Sequence, residues 1–188
     1  MNSRKTLLTI CFVIVGVFAF VGQSNSKSNS SQPSVTGQQA TKEIPEYVRY
    51  MFLFAHHHFN MKKAAELEKQ GKDGSKFHSM FEHRAGLSDE EGIILDQVTS
   101  DCEQALAQQD AKAQAVIDAF RSRYPIGDLP AGVSLPPPPP ELTTMQEERN
   151  AIILRARDRL HAEFGDAKFN RFDTFVKSLG DSITDTTN

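Results

Sequence analysis

From Ile93 to Tyr124 the chain runs without a glycine or a proline. Ser88 and Glu91 stand just ahead of this run with the spacing of a capping box. In that motif the hydroxyl and the carboxylate each bond a free backbone N–H of the first turn. Pro125 follows the run and cannot continue a helix. One helix over about residues 88–124 is therefore expected, about 54 Å long at 1.5 Å per residue. Its apolar stripe reads Ile94, Val98, Cys102, Ala105, Gln109, Ala113, Val116, Phe120 and Tyr124. The steps form an 11-residue repeat, about 3.67 residues per turn, so the helix should be almost straight. Gln109 is the one polar break in the stripe. Cys102 lies inside it, which favours a buried, inert thiol over an exposed one.

The rest of the chain after Pro45 is also helical in pattern. A first helix is expected from Pro45 to about Gln70, stopped by "GKDG", and a short second one from Ser75 to Gly86. Thr143 and Gln146 have capping-box spacing and are expected to open a helix closed by Gly165, with Met145, Ile152, Ile153, Ala156, Leu160 and Phe164 on its apolar face. Asp166 is expected to cap a last helix ending at Gly180, with Phe169, Phe172, Val176 and Leu179 on one side. No segment alternates like a strand, so the fold class is all-α: a helical bundle over residues 44–180 with one long straight helix. The proline-rich loop before the fourth helix includes Pro136 to Pro140, a polyproline II rod best read as a stiff spacer, with a ligand for proline-binding modules as the alternative.

The N-terminus stands apart. Arg4 and Lys5 precede the uncharged run "TLLTICFVIVGVFAFVG", and small residues follow at Gly22 and Ser24. This is the pattern of a secretory signal peptide over residues 1–24, with an uncleaved membrane anchor as the alternative. Residues 25–43 are polar and read as a flexible linker, and residues 181–188 as a disordered tail. Export, to a periplasm or to the medium, is the expectation. Cleavage would take Lys+Arg from 21 to 19 against 24 Asp+Glu, and the net charge from -3 to -5. A mildly acidic chain of this kind gives no footprint for nucleic acid. Cys102 alone would remain, too few for an intrachain disulfide.

Catalytic patterns are missing from the sequence: no G-x-S-x-G, Walker loop, H-E-x-x-H or C-x-x-C occurs. The acidic pairs in first helical turns are explained by the helix dipole. A non-enzymatic role without a cofactor is the expectation. The stretch "FLFAHHHFN", residues 52–60, is the most unusual local feature. At 100° per residue three successive histidines fan over about 200° and cannot ligate one ion from a helix. With Tyr47 at zero, Tyr47, Met51, Phe54, Met61 and Ala65 fall within about 40° of zero. On that reading His58, at about 20°, faces the core. His57, at about 280°, lies on the flank, and His56, at about 180°, is wet. A core histidine bonded to a neighbour is the ordinary role for His58. The alternative is a metal site in which His58 is joined by His78 or His83.

Seven of the thirteen aromatic residues that follow residue 24 lie between Tyr47 and Phe81. So broad an aromatic arc implies either a central helix or a surface for partners. If the arc is exposed, Phe52, Phe54 and Phe59 would contact the partner.

Two helix starts echo each other. "LTTMQ", Leu142 to Gln146, has the form L-T-x-x-Q, and "LSDEE", Leu87 to Glu91, the form L-S-x-x-E. Each precedes an apolar triplet, Ile152-Ile153-Leu154 and Ile93-Ile94-Leu95. Over roughly residues 87–164 this pairing resembles the Spy/CpxP group of periplasmic helical proteins. The resemblance implies a curved helical cradle, often dimeric, that binds unfolded clients without ATP; some relatives bind heavy metals. The expected function is thus non-enzymatic binding in the cell envelope, of unfolded protein or of a dedicated partner. The alternatives are a metal-binding envelope protein using His58 with His78 or His83, and a structural secreted domain.

Overall fold

The computed structural model describes residues 43–124 and 136–184, the side chains of 180–184 excepted. Among the described residues there are six helices and no strand. They are α1 (Glu46–Lys69), α2 (Ser75–His78), α3 (Met80–Ala85), α4 (Asp89–Arg123), α5 (Glu141–Phe164) and α6 (Asp166–Thr184). The all-α expectation is met. The signal segment, nearly all of the linker and the stretch 125–135 of the proline-rich loop lie outside the described residues. None of the described helices is long and apolar enough to cross a membrane.

The long helix, α4, forms as its sequence dictates, with 35 residues. Its capping box is complete: the Glu91 N–H donates to Ser88 Oγ at 3.3 Å and the Ser88 N–H to Glu91 Oε2 at 2.7 Å. Lys168 of α6 lies 2.6 Å from the same Glu91 carboxylate, so the cap also joins α6 to the start of α4. Val98, Cys102 and Gln109 of the expected stripe are buried, and Leu95, Thr99 and Leu106 are buried beside them. The buried strip is wider than one ridge because α1 and α5 both pack against α4. Cys102 is 3% exposed. Burial pushes its thiol up to about 12, so almost no thiolate exists at neutral pH and the group is inert. Gln109 is polar for a reason: its amide donates to Met145 O at 3.2 Å and to Glu148 Oε2 at 2.7 Å on α5.

Helix α5 runs antiparallel to α4, as the pairs Asp101–Arg159, Gln109–Glu148 and Asp110–Arg149 fix. After Gln109 no residue of α4 is fully buried, and none of α5 is before Ile153. These paired ends therefore form a two-helix arm outside the core. The core itself gathers Tyr50, Leu53 and Phe54 of α1, Phe81 of α3, Leu95, Val98, Cys102 and Leu106 of α4, Ile153 and Leu160 of α5, and Phe169, Phe172 and Val176 of α6.

Local boundaries differ from expectation in four places, one being that Asp166 is the first residue of α6 and not the cap ahead of it. Helix α5 starts two residues before Thr143, with Pro140 at its N-cap and no side-chain cap. Leu142 N–H and Thr143 N–H donate to the carbonyls of Pro139 and Pro140, so proline's preset φ opens the helix and the Thr143–Gln146 box does not form. Gln146 instead donates to Asn150 Oδ1. The expected single helix over 75–86 is broken at Ser79 into α2 and α3, and Gly86, at φ 64°, ends α3 in the left-handed conformation. Helix α6 passes through Gly180 to Thr184, so residues 181–184 of the expected tail are helical, and 185–188 lie outside the described residues. Glycine weakens a helix interior by about 1 kcal/mol, and one such residue near the end of a packed helix does not stop it.

Candidate functional site

Helix α1 carries aromatic residues around most of its circumference, and its orientation decides which of them can act. The buried residues are Tyr50, Leu53, Phe54, His57, Asn60 and Ala64. On the angular scale used above they centre near about 270°, a quarter-turn from the expected face. The core-facing histidine is therefore His57, which is fully buried, and His58 is only half-buried. His56 is exposed as expected. The rotation follows from packing: Phe81 of α3, α4 and α6 all bear on the flank that holds Tyr50 and His57. This leaves Tyr47, Met51 and Met61 at the margin.

The same rotation sorts the three candidate phenylalanines. Phe54 is 0% exposed and belongs to the core, so it is not available to a partner. Phe52 is 44% exposed and Phe59 61% exposed. They stand seven residues apart on one face, and with Ala55 and His56 between them they line a shallow surface groove. Lys62, Glu66 and Lys69 continue the exposed face toward the helix end. Chemically the groove offers two aromatic rings, a methyl and an imidazole edge. That is a surface for apolar side chains, and it holds no nucleophile or general base beyond His56.

The metal-ligand candidates do not converge. His78 Nε2 is 3.1 Å from Glu68 Oε1 on α1, and His83 Nδ1 donates to the Ser79 carbonyl at 3.0 Å. His58 lies on α1 with its imidazole held below the usual histidine range by burial, then by the charges of Lys62 and His57. Among the described residues no group of three or more His, Cys, Asp or Glu side chains could hold a metal ion.

Sequence reasoning missed a cluster on the buried flank of α1. His57 Nε2 lies 2.6 Å from Asp96 Oδ1 of α4. A carboxylate only accepts, so Nε2 carries the proton, and the buried Nδ1 has no partner among the described residues. Phe81 packs edge-on against both His57, at 5.6 Å between centroids, and His56, at 5.8 Å. Glu82, next in sequence to Phe81, has its carboxyl raised by burial and then by the charge of Asp96. No spacing could have shown this, because the three groups come from three helices. A second buried polar contact ties α1 to α6: Tyr50 Oη donates to Asp173 Oδ1 at 3.0 Å. Burial opposes ionisation of Asp173, but bonds from Lys177 and Tyr50 outweigh it and leave the carboxyl below its usual range.

Comparison with protein-family models, with curated proteins and with solved structures gave no match.

Proposed function

We propose that this chain is a non-enzymatic, exported α-helical binding protein, and that it holds apolar segments of unfolded or partner protein on the outer face of α1. The observation that carries this reading is the pair of exposed rings, Phe52 and Phe59, on one face of a helix whose other side is anchored in the core. Large aromatic side chains left in water on a rigid element are a common mark of a protein-binding surface, and a helix presents them at fixed spacing. The sequence pattern of a signal segment and a polar linker ahead of the bundle supports an envelope setting.

The test is suppression of light scattering by a chemically denatured model protein diluted into buffer. The wild-type chain at a molar excess of about fivefold should suppress aggregation, as hydrophobic capture of a few side chains requires only micromolar affinity. The Phe52→Ser/Phe59→Ser double variant should fold with unchanged helicity and lose most of that suppression. A wild-type chain without effect at this excess overturns the reading.

A further inference from the structure

The cluster on the buried flank of α1 has the parts of a lock. His57 of α1 binds Asp96 of α4 through its Nε2. Glu82 of α3 lies against Gly92 of α4, where a Cβ would come within 2.5 Å of Glu82 Oε1. Gly92 and Asp96 are four residues apart and share a face of α4, so two carboxylates crowd one flank of the helix around the buried His57 imidazole. Glu82 is also within electrostatic reach of Asp89 on α4 and His78 on α2. His58 adjoins His57 on α1, and Arg84 of α3 sits over the Phe175 ring of α6, 5.8 Å from its centroid. Helix α3 has only six residues and places Phe81, 2% exposed, between His57 and His56.

We propose that the proton on Glu82, packed against α4 beside the His57–Asp96 pair, sets whether α3 stays docked, and that undocking brings Phe81 out beside His56 to enlarge the apolar face of Phe52 and Phe59. The second half of this inference rests on the binding role proposed above. The sign follows from the charges. Glu82 binds its proton more tightly when docked, because burial and Asp96 both penalise its ionised form. The penalty is absent below the unfolded value of 4.5 and grows as pH rises through the docked value. Acid tightens α3, and rising pH loosens it.

Amide hydrogen exchange on the full chain, corrected for intrinsic rates, reads the lock directly. Protection of residues 80–85 should fall roughly tenfold between about pH 4 and about pH 7, a span that starts below the ordinary carboxyl range of Glu82 and passes through its raised one. Glu82→Gln mimics the protonated carboxyl and should stay protected at both values, with Asp96→Asn as a second variant that also removes the repulsion. Equal wild-type protection at both pH values, or a full pH response in both variants, overturns the lock. Aggregation suppression measured on the same samples should rise as α3 loses protection. A loss of protection without a rise in suppression overturns the link to the groove. Absence of suppression at either pH overturns the binding reading alone, and the exchange data still decide the lock.

Discussion

Phe54→Ala should destabilise the bundle by about 3–5 kcal/mol in urea unfolding, while Phe52→Ala and Phe59→Ala should each stay within about 0.5 kcal/mol of wild type. The three residues lie within eight positions of one helix and share one chemistry, so the contrast isolates orientation. Phe54 is fully buried, packs at 6.0 Å from the Tyr50 ring, and would leave a cavity. Phe52 and Phe59 keep much of their surface in water, so truncating them removes little that folding had buried. Near-equal losses at all three positions would contradict the orientation of α1.

The second large effect belongs to α6. Phe172→Ala should cost about 3–5 kcal/mol and lower the urea midpoint without changing the slope, as expected if α6 unfolds with the rest. Phe172 is fully buried, its ring edge-on to Phe164 at 5.4 Å and 6.3 Å from Phe175. Helix α6 is further held by Tyr50–Asp173 and by Lys168 at the α4 cap. A small loss, or a separate early transition for α6, would show that it is an appendage rather than part of the core.

The sequence made some of this legible and hid the rest for physical reasons. The length of α4 and its cap were readable because they depend on local chemistry: a Ser and a Glu three apart, then no breaker for 32 residues. Burial of Cys102 was readable from its place in a periodic stripe. The Thr143–Gln146 box has the same local form as Ser88–Glu91, yet the prolines just before it provide a better start, so the motif sits inside the helix. The buried face of α1 lies a quarter-turn from the one its apolar pattern predicts because apolar residues occur on both sides. The buried face also includes His57 and Asn60, polar residues that pull a hydrophobicity argument away from the core. His57 is accommodated by Asp96 on another helix, a partner set by tertiary packing. Two of the three candidate contact residues, Phe52 and Phe59, stand exposed, and Phe54 became core through the same rotation.

The central claim is that unfolded segments bind on the outer face of α1, and photocross-linking tests it most directly. A photoreactive phenylalanine analogue placed at position 59 should cross-link to a chemically denatured model protein, and the same analogue at Gln104 or Arg121, exposed positions on α4, should not. Folding must be intact in each variant, as read by helicity. Strong cross-linking at 59 with background yields at 104 and 121 is the predicted result. Equal yields at all three positions, or none at 59, would contradict the account.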